Sequence, residues 1–83
     1  MEWFLYVLKC GDGTLYTGVT TNIDRRLNEH NASSKGAKYT KARRPVKLVY
    51  WLRFQDRSSV QKAEYKFKQL TREEKRKVIN EAS

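Results

Sequence analysis

The sequence predicts an α+β fold, in which a three-stranded antiparallel sheet is flanked by helices in the order ββαβαα. Three features support it: two short apolar runs joined by a Gly-Asp-Gly turn, a third apolar run in the middle of the chain, and amphipathic segments after the second and third runs. The chain has 83 residues, enough for one core only, so we expect a single domain over residues 1–83.

The first two strands are predicted to form a hairpin. Trp3 to Lys9 is an apolar and aromatic run too short for a typical helix, and its near-continuity indicates a central strand covered on both faces. Gly11-Asp12-Gly13 supplies the positive-φ residues of a tight turn. Leu15 to Val19 then returns as the second strand.

The register of this hairpin determines where two tyrosines lie. A three-residue loop over Gly11 to Gly13 places Tyr6 opposite Gly18. The same loop places Leu8 opposite Tyr16, so that both tyrosines are diagonal neighbours on one face of the sheet. A two-residue turn would instead send the tyrosines to opposite faces, and the inference therefore depends on the loop type.

Residues with capping side chains mark where three helices begin. The candidate caps are Thr21 or Asn22 for the first helix, Ser58 for the second and Thr71 for the third. The first helix is predicted to run to about Asn31. Ser58 and Thr71 are each followed three residues later by Gln or Glu, which is the pattern of a capping box.

The first helix is predicted to carry two polar side chains beside its contact with the sheet. Ile23 and Leu27 form its apolar stripe. Arg26 and His30 each follow one of these residues by three positions, so they lie beside the stripe and one turn apart. We expect both to flank the contact between helix and sheet.

A basic segment separates the first helix from the third strand. Residues 32–45 show no clear period and end at Pro45, the only proline, so they are predicted to be a loop. Val46 to Phe54 is the third strand. The second helix then presents an apolar stripe that includes Val60 and Phe67.

The charge of the chain indicates a polyanionic partner. It carries 18 Lys and Arg against 9 Asp and Glu, a formal charge of +9. Net charge alone could serve only to keep the protein in solution. However, the stretch from His30 to Gln55 contains no acidic residue, and its basic residues are Lys35, Lys38, Lys41, Arg43, Arg44, Lys47 and Arg53. This clustering favours nucleic acid as the partner.

Cysteine usage and hydropathy indicate the compartment. The only cysteine, Cys10, excludes an internal disulfide and a thiolate zinc framework. No apolar run is long enough to span a bilayer, and Glu2 and Lys9 bracket the N-terminal apolar run too closely for a signal peptide. We expect a cytoplasmic protein with no membrane partner.

Glu64 is a carboxylate on or beside the sheet-facing side of the second helix. It lies four residues after Val60 and three before Phe67. A charge in that position must be paired with a cation, hydrogen-bonded or bound to a metal. From position alone, a salt bridge to an arginine such as Arg26 and metal binding are equally expected.

Five polar residues that this fold can bring to one side of the sheet resemble the constellation of the GIY-YIG nuclease superfamily: Tyr6, Tyr16, Arg26, His30 and Glu64. Phe4-Leu5-Tyr6 and, nine residues later, Tyr16-Thr17-Gly18 are similar to the paired motif that names the family. Arg26 follows the glycine by eight residues, and residues 63–68 resemble the family's glutamate-containing helix. Phe4, Leu5 and Thr17 depart from the name at strand positions.

The resemblance is greatest to the short stand-alone bacterial (YhbQ-like) members, which are related to the Slx-type structure-specific nucleases. The stretches that carry it are LKCGDGTLYTG, GAKYTKARRPVKLVY and LTREEK. It implies an endonuclease that hydrolyses DNA phosphodiester bonds, in branched or damaged DNA during repair or recombination. One divalent metal ion, Mg²⁺ or Mn²⁺, is implied on Glu64.

Roles for the site residues follow from the resemblance. Either tyrosine is the base or orients the attacking water, and the choice between them stays open. Arg26 neutralises charge on the phosphorane. His30 is a proton shuttle, a phosphate ligand or simply a hydrogen-bonded residue at the helix end, and the resemblance favours the first two. The expected nucleic-acid contacts are Gly18, Lys35, Lys38, Tyr39, Lys41, Arg43, Arg44 and Lys68.

A non-catalytic module is the alternative interpretation. The same basic face would hold DNA or RNA without cutting it, with the tyrosines stacking on bases or filling the core. The acidic Glu64 favours the nuclease, because binding alone gains nothing from an acid within a positive surface. We expect a monomer, with specificity supplied by a protein partner where it is needed.

Overall fold

The sheet of the computed structural model, which describes residues 1–82, has three antiparallel strands in the order β2-β1-β3. Strand β1 spans Trp3–Lys9, β2 spans Leu15–Thr20 and β3 spans Lys47–Phe54. The first strand is central and is buried on both faces, as its continuous apolar run predicts. The predicted α+β class is confirmed.

Four helices surround the sheet. They are α1 (Ile23–Ala32), α2 (Lys38–Lys41), α3 (Arg57–Gln69) and α4 (Arg72–Ala82). Helix α2 lies within the segment predicted to be a loop, so the order is ββααβαα and the loop prediction is wrong for these four residues. Within residues 1–82, no helix has the length and apolar character required to cross a bilayer.

The hairpin register predicted for a three-residue loop is confirmed. Tyr6 lies opposite Gly18, and Leu8 lies opposite Tyr16. The loop over Gly11 to Gly13 is closed by a 2.8 Å hydrogen bond from the Cys10 amide to the Thr14 carbonyl. Gly13 adopts the positive φ of 86° that such a turn requires.

The two faces of the sheet bury different kinds of side chain. Leu5 and Val7 pack with Val60 and Phe67 of α3 in an entirely apolar cluster. The opposite face forms a second cluster of Tyr6, Leu8, Cys10 and Val46, with Tyr16, Leu27 and Leu48 packed against it. Since side chains alternate along a strand, β1 separates a structural face from one that carries polar groups.

The helix caps agree with the sequence at two of three positions. The Asn22 side chain accepts a 3.0 Å hydrogen bond from the Arg25 amide and caps α1. The Thr71–Glu74 capping box forms reciprocally at the start of α4. The Ser58 prediction is wrong, because Asp56 caps α3 by accepting from the Ser59 amide at 2.7 Å.

His30, rather than the predicted apolar stripe, is the deeply buried residue of α1. Its side chain has no exposed surface, whereas Ile23 and Leu27 are only partly buried. A polar ring can occupy this position because both of its nitrogens have hydrogen-bond partners. The interior on this face is therefore built around a hydrogen-bonded side chain.

Gly18 is required by the close approach of Tyr6. A Cβ atom at this position would lie 2.5 Å from the Tyr6 hydroxyl oxygen and 2.6 Å from the adjoining ring carbon. We expect Gly18→Ala to lower the free energy of unfolding by roughly 1–3 kcal/mol, the typical cost of overpacking. Chemical denaturation of the variant measures this loss.

A double-mutant cycle identifies the cause. In a Tyr6→Leu background the ring is absent, and the additional cost of Gly18→Ala should largely disappear. An equal cost in both backgrounds would show that the side chain of Tyr6 is not what excludes the methyl group.

Candidate active site

Tyr6 and His30 form a buried hydrogen bond between the sheet and α1. The Tyr6 hydroxyl lies 2.8 Å from His30 Nε2. Tyr6 projects from the middle of β1 and is 2% exposed, and His30, in the last turn of α1, is fully buried. The strand and the helix thus present a phenol and an imidazole to each other away from bulk water.

Aromatic rings continue from this pair to the surface. The Tyr16 ring centroid lies 6.5 Å from that of Tyr6 and 5.2 Å from that of His30. Tyr39, in α2, stacks on Tyr16 at 6.0 Å, and the Arg43 guanidinium covers the Tyr39 ring at 3.8 Å. Three tyrosines therefore connect the interior of the site with the basic segment.

Arg26 lies at the edge of this cluster and is fixed by its own neighbours. Its Nη1 donates to Glu29 Oε1 at 2.9 Å and to the Lys35 carbonyl at 2.8 Å. Burial lowers the pKa of Arg26, but the contact with Glu29 and, after it, the influence of Tyr6 raise this pKa above its ordinary value overall. The predicted position beside the helix–sheet contact is confirmed, and the arginine has a defined orientation.

Burial is the main influence on the acidity of Tyr6. Together with the neighbouring Tyr16 it raises the pKa of Tyr6 to about 12, while hydrogen bonding and charge from Arg26 act in the opposite direction. The Glu64 carboxylate contributes a further, smaller rise in this pKa. In the unbound protein Tyr6 is a neutral phenol.

Glu64 lies on α3, which packs on the Leu5 and Val7 face of the sheet, opposite the face that carries Tyr6. The expectation that all five polar residues come to one side of the sheet is therefore wrong for the helix that carries Glu64. Its side chain is 23% exposed, and its Oε2 lies 3.3 Å from Lys68 Nζ. The expected alternative of a salt bridge to Arg26 is not what the structure shows, because Arg26 pairs with Glu29. Within residues 1–82, no group of three or more His, Cys, Asp or Glu side chains could hold a metal ion.

A single carboxylate of this kind still fits Mg²⁺ or Mn²⁺. Magnesium is commonly bound through one or two carboxylates, with substrate phosphates and water completing the shell. The Glu64 side chain keeps 23% of its surface exposed, so its carboxylate is accessible to such oxygens, and its partner Lys68 lines a groove of about 260 Å³. The groove is lined by Leu15, Tyr16, Thr17, Tyr39, Lys68 and Lys75.

Lys75 is a groove residue that the sequence interpretation did not include. It belongs to α4, and its Nζ lies 6.0 Å from the centroid of the Phe67 ring. In the sequence it is one of several charges on an amphipathic helix, with no motif around it. Only the tertiary structure brings Lys75 to the groove that Lys68 and Tyr16 also line.

The basic segment contains two kinds of cation. Lys35, Lys38 and Lys41 are exposed. Arg44 instead donates to the carbonyl oxygens of residues 29, 30 and 33, at 3.3, 2.6 and 2.6 Å, and so anchors the end of α1. Arg43 pairs with Asp12 at 3.0 Å. Both arginines therefore have structural contacts in addition to their charge.

All of the site residues described above lie within a region of the sequence that matches a known domain. Residues 2–77 match the sequence profile of the GIY-YIG catalytic domain. The chain belongs to the GIY-YIG family. The UPF0213 protein DP2720 of Desulfotalea psychrophila is 57% identical over 77 residues, which cover 93% of this chain and 70% of that protein. The UPF0213 protein SH2523 of Staphylococcus haemolyticus is 50% identical over 78 residues, 94% of each chain.

Two solved structures share the fold. The solution NMR structure of the UPF0213 protein BH0048 from Bacillus halodurans has a TM-score of 0.63 and 42% identity. That of EF2693 from E. faecalis has a TM-score of 0.66 and 45% identity. Each alignment covers 96% of this chain and 84% of the other. The GIY-YIG-type fold and the short bacterial UPF0213 relationship are both confirmed.

His30 is expected to make folding sensitive to mild acid. Its burial, followed by the charge of Arg26, lowers the pKa of His30 to about 4; Arg44 acts in the same direction and Glu29 opposes it. Tyr6 and Tyr16 face the ring from the sheet. In the unfolded chain the imidazole binds its proton near the ordinary histidine pKa of 6.5. The contribution of neutral His30 to the free energy of unfolding is therefore complete above that pH and is lost as the pH falls toward 4.

We therefore expect the free energy of unfolding to fall by about 1 kcal/mol between about pH 7.5 and about pH 5.5. The total loss should reach about 3 kcal/mol near pH 4. Urea denaturation across this range measures the change, and His30→Gln should remove most of it above about pH 5.5, where carboxylates remain ionised. An identical slope in the variant would assign the pH dependence to other groups.

Proposed function

We propose that this GIY-YIG domain is an endonuclease that hydrolyses phosphodiester bonds in DNA. The observation that carries the proposal is the convergence of Tyr6, Tyr16, Arg26 and His30 on one side of the sheet, with Glu64 paired to Lys68 of the groove that Tyr16 lines. A proton acceptor, a fixed cation and a carboxylate able to hold a metal ion are groups that together can catalyse phosphodiester hydrolysis.

Tyr6 is the proposed proton acceptor, acting together with His30. A phenol with a pKa near 12 is rarely ionised, so it accepts a proton from water readily only if it releases its own. His30 Nε2 lies 2.8 Å from the hydroxyl and is neutral at neutral pH, so it can receive that proton. Tyr16, which lines the groove, would orient the attacking water.

Arg26 is the proposed partner of the phosphate. Its contacts with Glu29 and the Lys35 carbonyl both use Nη1, which leaves the guanidinium further N–H donors. An arginine held in this way interacts with charge that develops on phosphate oxygens without first losing side-chain freedom. Its guanidinium also stabilises electron density on Tyr6 during proton transfer.

Glu64 is the residue proposed to hold the divalent ion. When bound there, Mg²⁺ or Mn²⁺ would stabilise charge on the leaving oxygen. In the unbound protein Lys68 neutralises this carboxylate at 3.3 Å and also lines the groove. Lys68 can therefore turn from Glu64 to a phosphate oxygen when substrate binds.

The exposed lysines of the basic segment are proposed to hold the DNA backbone. Lys38 and Lys41 lie on α2 beside Tyr39, at the outer end of the aromatic stack. Their attraction to phosphate is independent of sequence and decreases with salt. We further propose branched or damaged DNA as the substrate, in repair or recombination, on the resemblance to the Slx-type nucleases.

Substitution of the cation and the carboxylate tests the chemistry. We expect Arg26→Ala and Glu64→Ala each to lower the rate of cleavage of plasmid or branched DNA by roughly 100-fold or more in Mg²⁺ or Mn²⁺. Matched controls are Arg25→Ala and Glu73→Ala, which remove exposed charges of the same kind from α1 and α4. Single-turnover cleavage assays measure the effect.

The same variants separate catalysis from binding alone. If wild type cuts no more than Arg26→Ala and Glu64→Ala, while all three bind DNA at low salt, the chain is a non-catalytic nucleic-acid-binding module. If the control variants lose as much activity as the site variants, general electrostatics rather than these positions determines cleavage.

Removal of the competing lysine tests the metal site without measuring cleavage. We expect Lys68→Met to bind Mn²⁺ about two- to fivefold more tightly than wild type, because a cation within salt-bridge distance of Glu64 is removed. Isothermal titration calorimetry gives the dissociation constants, and Lys66→Met is the control on the same helix. Unchanged affinity in Lys68→Met would place the ion away from Glu64.

A further inference from the structure

A hydrogen-bonded chain continues beyond His30 into α2. His30 Nδ1 lies 2.7 Å from Thr40 Oγ1, and the Thr40 hydroxyl lies 2.9 Å from the carbonyl oxygen of Ala37. Thr40 has no exposed surface, although it lies within a highly charged segment. The nitrogen of His30 that faces away from Tyr6 is thus bound by a buried hydroxyl.

The partners of Thr40 determine the direction of this chain. A carbonyl can only accept, and a hydroxyl has one proton, so the contact with Ala37 uses the proton of Thr40. Toward His30, Thr40 is then an acceptor, and Nδ1 must carry a hydrogen. In a neutral imidazole this leaves Nε2 without a hydrogen, so Tyr6 donates to it.

The opposite arrangement has weaker support in the distances. With no hydrogen on Nδ1, one of the two short contacts of Thr40 would join two acceptors, and the donor that favours this tautomer is the Ala37 amide, whose N–H points to Nδ1 at 3.4 Å. That distance is long for an N–H···N or N–H···O hydrogen bond, whereas both contacts of the Thr40 hydroxyl are short. The geometry therefore favours the hydrogen on Nδ1.

Close packing at Gly36 holds the segment against α1 independently of these hydrogen bonds. A Cβ atom at Gly36 would lie 2.6 Å from the Glu29 carbonyl oxygen and 3.0 Å from the Cα atom of His30. Arg44 ties the other end of the segment to the carbonyls of the last turn of α1. Thr40 is thus fixed relative to the histidine from both sides.

We propose that Thr40 is a positioning residue that holds His30 in the Nδ1–H tautomer, so that Nε2 is the acceptor for the Tyr6 proton. Its catalytic meaning rests on the proposed nuclease function. As the Tyr6 oxygen takes a proton from water, the Tyr6 O–H bond breaks and its proton bonds to Nε2, forming an imidazolium. The resulting hydroxide oxygen forms the bond to phosphorus, and the bond to the leaving oxygen breaks.

The alternative tautomer would prevent this transfer. With a hydrogen on Nε2, Tyr6 could only accept from His30, and its own proton would have no base to receive it. The segment from Lys35 to Arg44, predicted from the sequence to bind phosphate, thus also determines through Thr40 whether His30 can act as a base. Thr40 would contribute to cleavage without touching DNA.

Nitrogen NMR of the imidazole tests the tautomer directly. The chain has one histidine, so a long-range ¹H–¹⁵N correlation spectrum at neutral pH contains the ring signals of His30 alone. We expect wild type to show a protonated Nδ1 and a bare Nε2. A spectrum with the hydrogen on Nε2 would overturn the proposal, whatever the activity of the protein.

Two substitutions test the role of Thr40. Thr40→Val keeps the shape and removes the hydroxyl, so we expect mixed tautomers and roughly tenfold slower cleavage. Thr40→Ser keeps the hydroxyl and should preserve the wild-type spectrum and most of the rate. The proposal fails if folded Thr40→Val keeps the Nδ1–H tautomer, or if it loses the tautomer and cleaves like wild type.

The two readouts distinguish this inference from the proposed function. A wild-type Nδ1–H tautomer that is lost in Thr40→Val and kept in Thr40→Ser supports tautomer control by Thr40. Absence of cleavage in wild type would overturn the nuclease function and, with it, the catalytic role of Thr40. If Thr40→Val does not fold, the wild-type and Thr40→Ser spectra still decide the tautomer.

Discussion

The hydrogen bond between Tyr6 and His30 is the constraint on which the site face of the protein depends. It joins the central strand to α1 where neither group is hydrated, so loss of either partner would leave a buried polar group unsatisfied. Three other features support this hydrogen bond. The hairpin register places Tyr6 opposite Gly18, whose lack of a side chain leaves room for the tyrosine ring. Thr40 contacts the far side of the His30 ring.

Much of the fold could be predicted because its signals are local. The run from Trp3 to Lys9, the Gly-Asp-Gly turn and the caps at Asn22 and Thr71 each act within a few residues. Helix α2 could not be predicted, since four residues show no period and depend on contacts with α1. The cap of α3 was misplaced because Asp56 competes with Ser58, and both are good capping residues.

The candidate site was predictable as a set of residues, and less so as a set of contacts. Spacing and resemblance identified Tyr6, Arg26 and Glu64, and the structure brings the first two together with His30. The actual pairings of Arg26 with Glu29 and of Glu64 with Lys68 are local helix contacts that compete with longer-range ones. Thr40 and Lys75 depend on tertiary packing, for which the sequence has no marker.

Arg44 anchors α1, so within the basic segment it has a structural role that the exposed lysines do not share. A planar guanidinium can reach three backbone carbonyls at once, whereas a lysine of equal charge offers a single ammonium group. Substitution of an exposed residue such as Lys35 or Lys38 would therefore change affinity for polyanions and leave these backbone contacts in place. A lysine at position 44 would keep the charge of the segment and lose the contacts that anchor the end of α1.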